Sequence, residues 1–184
     1  PEVMTAAVAA GAGLINDVRA LRADGAIEAA RALGVPVCLM HMQGKPETMG
    51  DNPYYQDVVR EVGDFLRQRV AVCTEGGISE QQLLIDPGFG FGKNFDHNRR
   101  LLLDLDVLAG LGLPLMVGFS RKGFVGALLG DLNRDRAIGS AGLALMAVQK
   151  GARVVRAHDV VPTRDLIRSW ERLHSADGHQ GNFG

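Results

Sequence analysis

The chain has few cysteines and no pattern that would pair them. Its 184 residues include only Cys38 and Cys73, and no CxxC spacing occurs. Both thiols lie inside apolar stretches, so a disulfide framework is not expected and two buried thiols are the better interpretation. Such cysteine usage is typical of a reducing compartment, and a cytoplasmic protein is predicted.

An excess of charge of one sign is also lacking. The chain has 20 Lys and Arg residues against 21 Asp and Glu residues, a formal net charge of −1, and no run of basic residues. Neither a nucleic acid nor an anionic membrane is therefore expected as a partner. The longest apolar run, around residues 113–119, is far too short to span a bilayer. The composition, 46% apolar and 22% charged, is that of a soluble globular protein of one domain.

Short β-rich runs alternate with helical patterns along the chain. The predicted strands are 13–18, 35–42, 83–89, 113–120 and 152–160. The predicted helices are 24–34, 52–77, 96–112, 134–152 and 163–174, together with one that begins at Pro1 and a short one at 123–130. Strands that are apolar almost throughout and alternate with helices indicate a parallel sheet covered by helices.

Polar residues at the strand ends decide which parallel architecture is expected. They fall at the C-terminal ends of several different strands: Asn16, Asp17, His41, Asp86, Ser120, Arg121, Lys122, Arg156, His158 and Asp159. A (β/α)₈ barrel collects its functional groups in this way at one rim, whereas a doubly wound sheet gathers them near one switch point. We therefore predict an α/β TIM barrel represented by strands four to eight, with the first three strands absent from the sequence. Residues 1–174 are predicted to form the barrel part and 175–184 a flexible tail.

The stretch "LLIDPGFGFGKN", 83–94, raises the question of a phosphate-binding loop. The Walker A pattern fails because Pro87 stands where its first glycine is needed and Asn94 follows the lysine. The Rossmann pattern fails because the glycines are spaced GxGxG. What remains is a turn that lets backbone approach a ligand closely, with Phe89 or Phe91 as an aromatic surface.

Two polar residues on different strands suit a flat heterocycle. Asp86 ends an apolar strand, and a carboxylate at a mostly buried strand end must be paired. A ligand edge that resembles an amidine or a guanidine would pair it bidentately. Asn16 offers a donor and an acceptor to the same ring.

Basic residues are predicted to meet anionic or electron-rich groups. Lys122 lies where a strand turns into a short helix, which favours electron-rich oxygens, although a solvated basic turn is the alternative. Arg156 and His158 leave the same face of the last strand and are predicted to bind an anion. His41 fits a ligand-facing role and a hydrogen-bonded structural role equally well. No HExxH motif, cysteine quartet or carboxylate cluster occurs, so a metal held by protein ligands alone is not expected.

Five motifs in order, "GAGLINDV", "LMHMQGKPETM", "LLIDPGFGFGKN", "GFSRKGF" and "RVVRAHDV", resemble the dihydropteroate synthase family across residues 1 to about 173. The resemblance implies a (β/α)₈ barrel that joins 6-hydroxymethyl-7,8-dihydropterin pyrophosphate to p-aminobenzoate. The products would be 7,8-dihydropteroate and pyrophosphate, with Mg²⁺ required. The metal would arrive with the pyrophosphate, and no metal ligand is expected in this chain.

The resemblance also implies a pterin site. Asn16 and Asp86 would hydrogen-bond the polar edge of the pterin, and Lys122 would meet its oxygen and ring nitrogen. Met40 would pack at the floor of the pocket, although methionine at such a position is more often simply core packing. Arg156 would lie against the pterin.

The remaining implied roles concern the second substrate and the leaving group. Phe91 and Ser120, with the stem of Lys122, would border the p-aminobenzoate site. Arg156 and His158 would hold the departing pyrophosphate, so Lys122, Arg156 and His158 form the expected catalytic group.

Family members carry further site residues upstream: an asparagine for the metal, an arginine and a pterin-binding aspartate. The 184 residues alone are therefore expected neither to close the barrel nor to turn over substrate. Full-length family members commonly dimerise through their last helices, so a homodimer is expected. The small residues of 140–148 suit either such a surface or a core-facing stripe.

Three alternatives remain open. A methyltetrahydrofolate methyltransferase shares the asparagine and aspartate, but Arg156 and His158 would then have no pyrophosphate to bind. A phosphosugar barrel would need catalytic carboxylates that the motifs lack. A non-catalytic binding fragment or a pseudoenzyme is the alternative of a different class.

Overall fold

The computed structural model describes residues 1–44 and 52–175. Its strands are β1 (Ile15–Asp17), β2 (Val37–Met40), β3 (Leu83–Asp86), β4 (Leu115–Val117) and β5 (Ala152–Val155). Its helices are α1 (Glu2–Ala9), α2 (Ala26–Leu33), α3 (Val58–Glu75), α4 (Phe95–Leu103), α5 (Leu105–Ala109), α6 (Gly123–Leu128), α7 (Ala137–Gln149) and α8 (Val160–His174). A 3₁₀ turn at Glu80–Gln82 precedes β3. The predicted tail, from residue 176 onward, lies outside the described residues.

The strands form one parallel sheet in the order β1-β2-β3-β4-β5. The spatial order follows the sequence without a reversal. A doubly wound sheet would reverse its strand order at a switch point, so that alternative is wrong. The predicted barrel class is confirmed by this winding, with the five described strands making an open sheet.

The core lies between one face of the sheet and the helices. Val37 and Leu39 of β2 are fully buried there beside their register partners Leu83 and Ile85 of β3. Full burial of each such side chain contributes about 1.5–3 kcal/mol. Helix α3 is the longest helix that covers this face, and Leu66 is one of its fully buried residues. The helices thus leave the opposite face of the sheet to carry polar groups.

That opposite face, here called the inner face, is defined by Asn16, Cys38, Met40 and Asp86. Asn16 pairs in register with Cys38, and Met40 pairs with Asp86. Partners in a parallel ladder point their side chains to the same side, and residues two apart share a side. Three adjacent strands therefore direct the side chains of this set to one face, near the C-terminal ends of the strands.

Several predicted boundaries differ from the observed ones for local reasons. Helix α3 begins at Val58, because Asp57 caps it by accepting from two backbone N–H groups. The predicted helix 96–112 is two helices, α4 and α5, that meet at Asp104. Helix α4 begins at Phe95, because Asn94 caps it by accepting from the His97 N–H.

The small residues of 140–148 face inward. Ser140, Ala141, Ala144 and Ala147 of α7 are buried, and α7 packs against α8 and β5. This favours the core-facing interpretation of that stripe. Across the described ranges no helix combines the length and the apolar character that a membrane crossing needs.

Candidate functional site

The centre of the site is the carboxylate of Asp86, which is only 4% exposed at the end of β3. Its Oδ1 accepts a hydrogen bond of 2.7 Å from the Gly88 N–H. Burial raises the pKa of Asp86, while that hydrogen bond and the charges of Lys122, Lys93 and Arg156 act to lower it. One buried carboxylate thus faces three cations from three separate segments of the chain.

The glycine-rich loop after β3 packs on the protein's own backbone. Gly88 and Gly92 have positive φ angles of 68° and 62°. A Cβ atom at Gly88 would lie 1.9 Å from the carbonyl oxygen of His41, and one at Gly92 would lie 2.4 Å from that of Gln43. The sequence predicted that these glycines allow close approach to a ligand. At these two positions they allow close approach to the segment that follows β2 instead.

Replacing Gly88 by alanine is expected to destabilise the fold by about 3–5 kcal/mol, since positive φ and a backbone clash both oppose it. Gly112→Ala is the matched control, because Gly112 has a φ of 86° with open space around its Cβ position. The Gly112→Ala substitution should lower the free energy of unfolding by only about 1–2 kcal/mol. Urea unfolding of both variants measures the difference, and equal losses would contradict the clash.

Lys122 and Phe91 are in contact. The Lys122 ammonium lies 4.7 Å from the centroid of the Phe91 ring and donates a hydrogen bond to the Phe89 carbonyl oxygen. Burial lowers the pKa of Lys122 to about 8, with Asp86 opposing the shift and Arg156 adding to it. A cavity of about 430 Å³ opens beside these groups, between the glycine-rich loop, α4 and α6.

Ser120 is hydrogen-bonded to His158. The Ser120 hydroxyl oxygen accepts from the His158 backbone N–H at 3.0 Å and lies 2.9 Å from His158 Nδ1. Arg121 and Asp159 form a second link between the same two loops, with contacts of 3.2 and 2.7 Å. The loops after β4 and β5 are therefore held together, and Ser120 orients the imidazole of His158.

Arg156 reaches over the inner face from the end of β5. Its backbone N–H donates to the Val117 carbonyl, and its guanidinium packs against Gly118, where a Cβ atom would lie 3.3 Å from Nη2. Its charge acts on both Asp86 and Cys38, which places it over this face. Arg156 and His158 are both exposed at the rim.

Asn16 and Met40 occupy the remaining predicted positions. Asn16 is exposed on β1, and Met40 is 2% exposed at the end of β2. Because β2 separates β1 from β3, Asn16 stands about 10 Å across the sheet from Asp86. Asn16 and Asp86 thus share the inner face, with Met40 on the strand between them, and Asn16 lies two residues behind the level of Asp86 in the register.

His41 has a structural environment. It is 6% exposed, its Nδ1 accepts a 2.9 Å hydrogen bond from Lys93, and its ring meets Phe65 edge-on at 4.9 Å between centroids. Burial, assisted by the charge of Lys93, lowers the pKa of His41 to about 3. Of the two roles that the sequence left open, the hydrogen-bonded structural one is therefore favoured.

Acidification is expected to weaken the fold through His41. Its imidazole stays neutral in the folded chain but binds a proton below about pH 6.5 when unfolded, so this contribution is present above pH 6.5 and lost as pH falls toward 3. The loss approaches about 1.4 kcal/mol per pH unit. We expect the free energy of unfolding of His41→Gln to fall less steeply than that of the wild type between pH 6.5 and 5. His174→Gln on exposed α8 should follow the wild type, and parallel slopes for all three proteins would contradict the prediction.

Sequence reasoning missed Lys93. It is 8% exposed, and its Nζ donates to His41 Nδ1 and to the carbonyl groups of Gly88 and Phe91. The only signal in the sequence is its position, seven residues after Asp86 in the glycine motif. A Walker A motif would also have a lysine there, and the failure of that motif leaves Lys93 without a predicted role. A lysine that follows a positive-φ glycine turn is a candidate for binding the turn's carbonyl groups.

The described residues do not fit a protein-caged metal. Within residues 1–44 and 52–175 no three His, Cys, Asp or Glu side chains converge closely enough to bind an ion. Asp159, the acidic residue beside His158, is paired with Arg121. The rim near Arg156 and His158 therefore offers donors for an anion rather than oxygen ligands for a cation.

Comparison with known proteins agrees with this geometry. The family described as pterin binding enzyme matches residues 1–158. The dihydropteroate synthase of Haemophilus influenzae is 47% identical over 174 residues, which are 95% of this chain and 63% of that protein. The chain thus spans less than two thirds of this curated relative.

Solved structures superpose closely. The dihydropteroate synthase of Stenotrophomonas maltophilia has a TM-score of 0.92 and 49% identity, over 96% of this chain and 67% of that one. The enzyme of Xanthomonas albilineans, in complex with 7,8-dihydropteroate, has a TM-score of 0.88 and 47% identity, over 95% and 64%. Because the family match covers most of its residues and is joined by these similarities, this chain belongs to the pterin-binding enzyme family.

Proposed function

We propose that the protein acts as a dihydropteroate synthase, joining 6-hydroxymethyl-7,8-dihydropterin pyrophosphate to p-aminobenzoate. The observation that carries the proposal is the buried Asp86 carboxylate, on which the charges of Lys122, Lys93 and Arg156 act. Lys122 also lines a cavity bordered by Phe91. A carboxylate suits the 2-amino edge of a pterin, and cations suit a pyrophosphate leaving group.

The pterin would lie on the inner face. Asp86 would accept from its amino and ring N–H groups, while Asn16 would donate to and accept from another part of the polar edge. Met40 lies between these two strand ends and would form the floor, and Lys122 would donate to the pterin oxygen and ring nitrogen. Displacement of water by the ring would strengthen each of these hydrogen bonds.

The second substrate would enter beside Phe91. The X. albilineans relative binds 7,8-dihydropteroate, which contains both a pterin and an aminobenzoate part. In this chain Lys122 lines the cavity next to Phe91, and its charge also acts on Asp86, so it would lie between the two parts of such a ligand. Ser120 would border this path from the β4 loop, where it also holds His158.

The chemistry would be substitution at the pterin methylene. Its C–O bond breaks with the electron pair going to pyrophosphate, and the aminobenzoate nitrogen forms the new C–N bond and then loses a proton to solvent. Arg156 and His158 would stabilise the departing anion, and Lys122 would hold the pterin in position. No general base is required, since an arylamine is neutral at pH 7 and catalysis is positioning plus electrostatic stabilisation.

Three further expectations belong to the same proposal. Mg²⁺ would be carried by the pyrophosphate oxygens, because the described residues offer it no ligand set. A cytoplasmic location is supported by two buried, unpaired cysteines. A homodimer through the last helices is supported by apolar side chains that α8 exposes, among them Val161, 57% exposed, and Leu173, 82% exposed.

Calorimetry and a pyrophosphate-release assay test the proposal together. The purified chain is expected to bind 6-hydroxymethyl-7,8-dihydropterin pyrophosphate more tightly than the same pterin without pyrophosphate. Product formation with p-aminobenzoate would establish the activity for these residues, whereas binding without turnover would restrict them to the pterin site. Absence of any binding, or tight methyltetrahydrofolate binding that does not depend on pyrophosphate, would refute the proposal.

A further inference from the structure

The ammonium group of Lys93 is fully used inside the protein. Its Nζ donates to His41 Nδ1 at 2.9 Å, to the Gly88 carbonyl at 3.0 Å and to the Phe91 carbonyl at 3.0 Å. An ammonium group has three protons, and each has an acceptor here. Lys93 therefore has no donor left for a ligand, although it faces the buried carboxylate of the site.

These contacts join two segments, the glycine-rich loop and the end of β2. Gly88 and Phe91 are the two ends of the turn in the glycine-rich loop, and the Phe91 N–H also donates to the Gly88 carbonyl at 3.0 Å. His41 is fixed from the other side, since its backbone N–H donates to the Asp86 carbonyl and its ring packs on Phe65. A rigid partner at the end of β2 thus anchors the loop through one side chain.

A buried ammonium group at this position has a high desolvation cost, so the presence of a lysine here needs a physical reason. A buried cation requires compensation, and a loop can be closed by neutral hydrogen bonds at lower cost. The charged groups that face Lys93 are Asp86, from β3, and Lys122, from the turn before α6, while neutral His41 faces it from β2. Burial lowers the pKa of Lys93 to about 7, and Asp86 opposes that shift.

What the turn presents to the cavity is the Phe91 ring. Its carbonyl is held by Lys93, its ring faces the Lys122 ammonium, and the next carbonyl, that of Gly92, accepts from the buried Tyr55 hydroxyl at 2.8 Å. The peptide group before Phe91 is held by the Phe91 N–H, which donates to the Gly88 carbonyl, and the peptide group after it is held by Lys93. The position of the ring follows from these contacts, because fixing its backbone on both sides leaves only side-chain rotation.

We propose that Lys93 is a positioning residue: by holding the carbonyl groups of Gly88 and Phe91 against His41, it fixes the Phe91 ring as one wall of the p-aminobenzoate site. The identity of that ligand rests on the proposed function, but the role in placing the ring does not. Lys93 acts through Phe91, because it borders the same cavity but its ammonium group has no donor free for a substrate.

Lys93→Met tests this role, because methionine keeps the apolar stem and removes all three donors. Two signals are expected to change in the purified chain by NMR: the ¹⁵N shift of His41 Nδ1, and the cross-peaks between the Phe91 ring and the Lys122 methylenes. Where p-aminobenzoate binds the wild type, its dissociation constant should rise roughly tenfold, since a small misplacement of a substrate wall has effects of this size. Lys150→Met, on a lysine at the end of α7 that pairs with Asp106, is the matched control and should change neither signal.

Lys93→Gln provides a second variant if the methionine variant does not fold. Its amide is neutral and keeps two N–H donors, so it should show the same changes at smaller size. Retention of the Phe91–Lys122 cross-peaks in a folded Lys93 variant, with p-aminobenzoate binding within twofold of the wild type, would overturn the proposal. If the wild type binds no p-aminobenzoate, the proposed function fails, and the NMR signals still decide whether Lys93 positions the ring.

Discussion

Replacing Asp86 by asparagine is expected to weaken binding of the pterin pyrophosphate about 100-fold or more. The variant keeps the size of the side chain but removes the charge that would pair with the amino edge of the ring. Truncating one partner of a buried, hydrogen-bonded charge pair costs about 2–5 kcal/mol. Isothermal titration calorimetry of the purified chain at pH 7.5 measures the change.

The control for this variant is Asp106→Asn. Asp106 is a surface carboxylate near Lys150, with a side chain 67% exposed, and its replacement should leave pterin binding unchanged. Thermal unfolding of both variants shows whether they remain folded. A dissociation constant for folded Asp86→Asn within threefold of the wild type would remove Asp86 from the pterin site.

The pH dependence of binding gives an independent check on the same carboxylate. Burial raises the pKa of Asp86, and the bound pterin edge requires the ionised form as an acceptor. Affinity should therefore decline on acidification at a higher pH than an exposed aspartate would give. The affinity of the Asp86→Asn variant should not show this decline on acidification.

The sequence predicted the elements of the site whose position depends on strand order. Asn16, Met40, Asp86 and Arg156 lie at or near the C-terminal ends of strands, and in a parallel sheet those ends share one edge, so their placement at that edge follows from the alternation of strands and helices. The barrel-type strand order was predicted from the same polar residues, since they lie at the ends of several strands rather than near one switch point. These are consequences of chain connectivity, which a sequence contains directly.

The sequence did not predict contacts that depend on loop geometry. The resemblance implies that Ser120 borders the p-aminobenzoate site, but no motif indicates that its hydroxyl group lies on His158, because that contact forms where the loops after β4 and β5 approach each other. The glycines were assigned to ligand approach, but Gly88 packs on the His41 carbonyl. Such contacts need the three-dimensional separation of loops, and no periodicity in the sequence reports that separation.

Replacing Arg156 by methionine is expected to reduce the affinity for pterin pyrophosphate by about 10- to 100-fold, in line with the roughly 1.5–3 kcal/mol of a hydrogen bond to a charged group. Most of the loss should vanish when the same pterin is tested without its pyrophosphate, because the guanidinium would mainly bind the anion. Asp86→Asn should show the opposite pattern and weaken both ligands. The two variants measured with the two ligands therefore separate recognition of the ring from recognition of the leaving group.

Arg153→Met is the matched control for Arg156. Arg153 lies three residues earlier at the same strand, beside the groove between β5 and α8, and should affect neither ligand. Added salt should weaken pyrophosphate-dependent binding in the wild type and much less in Arg156→Met, since screening acts on the exposed charge pair. Equal losses for both ligands in Arg156→Met would instead place its guanidinium against the pterin ring, and the leaving group would then depend on His158, held by Ser120.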